Sequence, residues 1–320
     1  MLNFGICRLE QLDCASPALL AETRRYFRRF CNIELYEALA RRGDPGDEAL
    51  QAAVLDLFPI ANGAFKRTSR QRFGGFDQQV VDCLSDMFHD AEQLTVHDMA
   101  VSDGRTACDF YRTLATRFGP TLDFVASDLC TRITALSRDG QRLTVIIDED
   151  GVPLQLVWPP FVLPIAMTES WLYPVNRLIR QLLQSEANAL RSAANNADGS
   201  LQRREILLLC TEARNYLAAN DNFHIERHNI FDATPRRYRV VRAMNVFNES
   251  YFSPAQLAQG LARVHESLAD EGVFVLGSNS EAGSTVNGGV YRKQANGFVE
   301  VVRCGNGPAI APLLAAIEKP

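Results

Sequence analysis

The chain has 320 residues, 47% of them hydrophobic, and 33 basic against 38 acidic residues give it a net charge of −5. That length fits one large domain or two modest ones, with ample apolar material for a core. The mild acidity gives no reason to expect nucleic acid as a partner, no apolar run approaches membrane-spanning length, and "MLNFGICRLEQLD" lacks the basic and apolar segments of a signal peptide.

The eight cysteines are scattered, with no C-x-x-C pair, and several fall in apolar patterns. A reduced, cytoplasmic protein without structural zinc is expected. Residues 16–90 read as helical. "SPALLAETRRYFRRF" opens with Ser16 as a cap and Pro17 at the first helical position. "DEALQAAVLDLF" and "FDQQVVDCLSDMFHD" give two more helices, separated by the basic loop "NGAFKRTSRQRFGG".

The pattern changes at Leu94. "LTVHDMAV" is a strand, "GRTACDFYRTLATRFG" a helix with Ala107, Phe110, Leu114 and Phe118 near one face, and "DFVASDL" a second strand. Such a β-α-β unit closes with a right-handed crossover. An insertion follows, with a hairpin in "RLTVIIDEDGVPLQLVW", an extended "PPFVLP" and a helix in "NRLIRQLLQSEANALRSAANN". The alternation resumes with a helix in "REILLLCTEARNYLAAN" and strands in "FHIERHNIF" and "YRVVRAMNVF". A helix over "SPAQLAQGLARVHESLADEG", with Ser253, Pro254 and Gln256 as a capping box, leads to the strand "GVFVLGS". "GGVYRKQANGFVEVVRCG" ends the series as an antiparallel hairpin. The expected fold is α/β: a Rossmann-like doubly wound sheet with a terminal antiparallel hairpin, plus an N-terminal helical region (1–90) and a β/α insertion (135–202) within a 91–320 domain.

Ligands of such sheets bind at the C-terminal strand ends. Asp98, Ala100, Ser102 and Gly104 lie there after the first strand, and Asp128 ends the second, placed to accept hydrogen bonds from ribose hydroxyls. Ala100 and Ser102 are small enough to approximate glycines. Asp103 is expected to repel a pyrophosphate, which favours a ligand with adenosine and no phosphate.

"VHDMAVSDG" resembles the first motif of class I S-adenosyl-L-methionine-dependent methyltransferases, usually acidic-x-G-x-G-x-G. The resemblance covers roughly residues 90–305 and includes the reversed last strand. It is closest in layout to the chemotaxis-receptor glutamate methyltransferases, with an N-terminal helical part, a β insertion after the second strand, and motifs similar to "HNIFD", "AMNVFNESYF" and "DEGVFVLGSNSE". It implies S-adenosyl-L-methionine as cofactor, with Asp128 on the ribose. Asn229, Ile230 and Phe231 would lie beside adenine, and Asn245 through Asn248 would border the methyl group. One glycine of the motif's three is present, and Arg239 stands where an acidic residue is usual at the start of strand four.

On the acceptor side, Arg67 or Arg70 in the basic loop could pair with an acidic substrate or with the methionine carboxylate. Asn248 and Tyr251 follow strand four, and Trp171 in the insertion could line a substrate pocket. His224 and His228 share a strand face with no third ligand, so no metal is expected. No general base or nucleophile is assigned, which favours a carboxyl or other acidic acceptor. The reading is therefore in-line methyl transfer to a small, acidic molecule, with no nucleic acid or membrane as partner and a homodimer possible. The insertion would act as a lid or docking subdomain. Alternatives are a protein carboxyl methyltransferase, a non-catalytic methyltransferase-like binding protein and an NAD-dependent oxidoreductase.

Overall fold

A computed structural model of the chain describes residues 5–14, 30–44, 46–66, 68–167, 174–195, 200–279, 285–315 and 317. The chain divides into two compact units, one made of Met1–Thr68 with Arg132–Thr211 and the other of Ser69–Thr131 with Glu212–Pro320. Strands among the described residues are β1 Leu94–Met99, β2 Leu122–Asp128, β3 Arg132–Arg138, β4 Thr144–Ile147, β5 Pro153–Trp158 and β6 Phe161–Pro164. They continue with β7 Leu201–Leu207, β8 Phe223–Arg227, β9 Tyr238–Met244, β10 Leu268–Asn279, β11 Val286–Gln294 and β12 Gly297–Cys304.

The second unit holds a seven-stranded sheet in the order β12-β11-β10-β9-β1-β2-β8. The strands from β8 to β10 are parallel. β11 is antiparallel to both β10 and β12. The reversed strand beside the parallel set is thus the first of the terminal hairpin, not the last. β1, β2 and β9 are buried along almost their whole length, as strands covered on both faces must be. From β1 the chain builds outward through β2 to β8, then returns to start β9 on the other side of β1. The topological switch point therefore lies between the C-terminal ends of β1 and β9, where ligands of such sheets bind.

Helices Gly74–Met87, Arg105–Phe118 and Pro254–Ser267 belong to this unit, as does Thr211–Ala219 from Glu212 onward. Ala107, Phe110 and Leu114 bury the inner face of Arg105–Phe118, and the Ser253–Gln256 capping box starts Pro254–Ser267. That helix ends at Ser267, five residues before the expected Gly272. Leu268 is already extended and begins β10, whose register with β9 shifts between Leu268 and Val273.

The first unit carries a five-stranded antiparallel sheet, β6-β5-β4-β3-β7. Helix Pro174–Asn195 buries Ile179, Leu183, Ala187 and Leu190 against Leu136, Val145, Leu156 and Leu163 of this unit. "REIL", expected to open a helix, is instead the end of β7. Its run of apolar residues suits either element, and pairing with β3 decides. The helix proper is Thr211–Ala219. Fully buried Gln155 on β5 accepts from the Ile33 N–H (3.1 Å) and donates to the Cys31 carbonyl (2.9 Å), tying the N-terminal residues to this sheet. The compact units therefore differ from the expected boundaries. Helix Gly74–Met87 goes with the seven-stranded sheet, and the rest of the described N-terminal residues go with the insertion. The helix expected over 16–30 lies outside the described residues except for Phe30. No helix among the described residues is long and apolar enough to cross a membrane.

Candidate functional site at the ends of β1, β2 and β9

The turn after β1 has left-handed backbone at three alternate positions, with φ of 58° at Ala100, 60° at Ser102 and 86° at Gly104. Only glycine adopts this conformation without steric cost. The turn thus keeps, at positions 100, 102 and 104, the backbone that glycines would give. Asp128 fixes it from β2: its Oδ2 accepts the Ser102 N–H at 2.8 Å and its Oδ1 the Cys130 N–H at 3.2 Å. The Val101 N–H also reaches the Ser127 carbonyl at 3.0 Å. At Gly104 a Cβ would stand 3.1 Å from the Ala213 Cβ, so a glycine there also lets helix Thr211–Ala219 pack closely.

Beneath the turn, Asp98 is 1% exposed, and both its carboxylate oxygens accept from Arg242 Nη1, at 2.8 and 3.0 Å. Arg242 Nη2 donates to Asp77 Oδ1 at 2.9 Å. Its guanidinium lies 4.5 Å from the Phe110 ring centre and 5.4 Å from that of Phe73. Asp98, expected to touch a cofactor, is thus committed to a buried ion triad. Burial pushes its carboxyl up, against Arg242. Burial likewise raises Asp77, to about 6, although Arg242 pulls it down. Asp103 is fully buried and paired with Arg105 at 2.8 Å. Its charge is compensated inside the protein, so the expected repulsion of a pyrophosphate does not hold.

At the end of β9, Asn245 has a φ of 59° and exchanges two hydrogen bonds with Asn279 at the end of β10, donating from Nδ2 (3.1 Å) and accepting from the Asn279 N–H (2.9 Å). Asn279 Oδ1 also accepts from Arg72 Nε at 2.8 Å. After β8, Asn229 Oδ1 accepts the Phe231 N–H at 3.2 Å. Ile230 is buried in the core, and Phe231 meets Phe252 edge-on at 5.3 Å. Asn248 is exposed and accepts the Ser250 N–H, and Tyr251 is 65% exposed. Arg70 is ion-paired with Glu212, which also holds Arg112. Arg67 and Trp171 lie outside the described residues.

A cavity of about 360 Å³ opens beside the start of helix Gly74–Met87, lined by Gln71, Gly74, Gly75, Asp77, Asp109 and Arg112. Asp109 accepts the Gln71 N–H at 2.6 Å and pairs with Arg112 at 3.3 Å.

Sequence reasoning missed Asp77, Arg242 and Asn279. For Arg242 a signal was present. An arginine in the apolar run "VVRAM" of a fully buried strand must find buried carboxylates. Asp77 and Asn279 sit in ordinary polar positions of their elements, and nothing local marks them.

No family model and no curated protein matches the chain. Among solved structures it is similar to the CurJ carbon methyltransferase, at 10% identity and a TM-score of 0.37, over 78% of this chain and 52% of that one. The DszA carbon methyltransferase matches at 14% identity and a TM-score of 0.36, over 86% and 51%. NcsB1, an O-methyltransferase from neocarzinostatin biosynthesis solved with S-adenosyl-L-homocysteine and 1,4-dihydroxy-2-naphthoic acid, matches at 13% identity and 0.28, over 66% and 43%. The chain spans about half the length of these structures or less. The class of the fold, a doubly wound α/β sheet with its switch point between β1 and β9, follows from its own strand order and directions.

Proposed function

We propose that the chain is an S-adenosyl-L-methionine-dependent methyltransferase acting on a small, acidic acceptor. One observation carries this reading: the left-handed backbone at Ala100, Ser102 and Gly104, tied through the Ser102 N–H to Asp128. A sequence that retains one glycine of three has kept the backbone shape of all three, and non-glycine residues hold such a shape only where the surroundings enforce it.

The residues present fit this cofactor. The Asp128 carboxylate holds the backbone of the turn from the end of β2, where it would also receive a ribose hydroxyl. The turn would receive the adenosine side, Asn229 through Phe231 would flank adenine, and Asn245 would border the reacting end. Bound there, the cofactor supplies an electrophilic methyl on a sulfonium. The protein's own task is to align the acceptor and exclude water. Arg72, held at the strand ends through Asn279 and Asn245, replaces Arg70 as the cation we assign to an acidic acceptor. Asn248 and Tyr251 would border it. A carboxylate acceptor is already ionised at neutral pH and needs no base. The closer likeness to chemotaxis-receptor enzymes rests on sequence motifs alone, and the lid or docking role of residues 135–202 is part of the same proposal.

An oxidoreductase reading gains one point, because Asp103 no longer opposes a pyrophosphate, so NAD is the control ligand. In calorimetric titrations S-adenosylhomocysteine should bind and NAD should not. Asp128→Ala should weaken that binding by about 1–3 kcal/mol, the usual cost of losing a partner for a buried polar group. Equal affinity in a folded Asp128→Ala variant would sink the assignment of the ribose site.

A further inference from the structure

Asp77, Arg242 and Asp98 come from three elements, helix Gly74–Met87, β9 and β1, and each is at most 2% exposed. Two carboxylates share one guanidinium. With both ionised, the triad carries one uncompensated negative charge. Among the described charged groups around it, Arg72 over the Phe73 ring and Asp128 on the turn are of opposite sign, and the others are paired. On helix Arg105–Phe118, Asp109 pairs with Arg112, Arg112 with Glu212, and Glu212 with Arg70, while Asp103 pairs with Arg105. Asp98 stands two residues before the left-handed turn. Asp77 also lines the 360 Å³ cavity, which gives water and protons a route to it.

We propose that this triad makes the site prefer the cationic methyl donor, S-adenosylmethionine, over its neutral product, S-adenosylhomocysteine, with Asp77 as the residue that sets the preference. The inference rests on the cofactor reading above. The donor's sulfonium and ammonium outweigh its carboxylate by one positive charge, and the product has lost the sulfonium charge. A buried negative charge beside the turn attracts the first and is indifferent to the second. Methyl transfer removes that attraction and so favours product release.

The preference is tied to pH. Burial holds the Asp77 carboxyl up at about 6 against the pull of Arg242, and the neighbouring Asp98 and Asp109 add to the rise. Above that pH the triad is negative, and below it Asp77 takes a proton and the triad becomes neutral.

The test is calorimetric titration of the full chain with S-adenosylmethionine and S-adenosylhomocysteine at pH 5 and pH 8. The affinity ratio should shift toward the donor at pH 8 by about threefold or more, the order of one interaction between partly buried unit charges. Asp77→Asn should flatten the ratio. If that variant does not fold, the wild type still decides. Titrations near pH 6 in buffers of different ionisation enthalpy should show proton release with the donor and none with the product. A ratio independent of pH, without proton release, would overturn this inference and leave the cofactor reading standing. Failure of both ligands to bind would overturn the cofactor reading itself.

Discussion

Ala100 and Gly104 occupy equivalent positions in the turn after β1 and differ in what they cost. Ala100 pays for its φ of 58° in steric strain, whereas Gly104 adopts 86° freely. Ala100→Gly should therefore raise stability by about 0.5–1 kcal/mol, the strain relieved less the extra chain entropy of glycine. Gly104→Ala should lower it by about 1–2 kcal/mol from the left-handed backbone, with more from the approach to Ala213. Urea unfolding of the two variants reads both, and the same sign for both would refute the account of the turn. The chemical character of this turn was legible in "DMAVSDG", because small residues alternate where glycines would stand. The fate of its acidic residues was not. Asp98 and Asp103 read as ligand-facing or ligand-repelling, and each is neutralised by an arginine, one of them 144 positions away in β9. Only the paired register of Asp98 with Arg242 across β1 and β9 brings that partner into place.

Buried β1 carries a second ionisable group, His97, which is 0% exposed. Its Nε2 meets Ser127 Oγ at 2.8 Å, and its ring lies beside those of Tyr238 (4.7 Å) and His228 (5.2 Å). Burial, aided by His228 and Arg236, depresses it to about 3. A histidine whose folded value lies below its unfolded one leaves the unfolded chain to take the proton. Stability is therefore lost as pH falls from about 6.5 toward 3. Asp77, raised to about 6, works in the opposite sense: its contribution improves as pH falls through 6 toward 4. Between pH 7.5 and 5 the histidine costs at most about 2 kcal/mol and the aspartate returns part of it. His97→Gln should therefore lose less stability than wild type over that interval, and Asp77→Asn should lose more. Denaturant unfolding at the two pH values compares them, and equal slopes in all three proteins would refute the assignment. The strands themselves were readable, because β1, β2 and β9 present unbroken apolar runs. β7 was not, since "REILLL" fits a helix as well as a strand until β3 is there to pair with it.

The described residues form two sheets, and the break between them shows in the sequence as a loss of β-α alternation after β2. What did not show is that residues before Thr68 share a unit with that interruption. Their link is made by the Gly5 N–H on the Pro160 carbonyl and the Gln155 clamp on Cys31 and Ile33, contacts between positions far apart, which no periodicity records. The terminal hairpin was legible from "QANGF", although its first strand, not its last, lies against β10. By the function proposed above, the turn after β1, with Asp128, is a cradle for S-adenosyl nucleosides. A crystal structure of the full chain with S-adenosylhomocysteine tests it most directly. The account predicts the ribose on the Asp128 carboxylate and the ligand against the backbone of Ala100 to Gly104. A ligand seated elsewhere, or no ligand at saturating concentration with the turn and Asp128 in place, would contradict it.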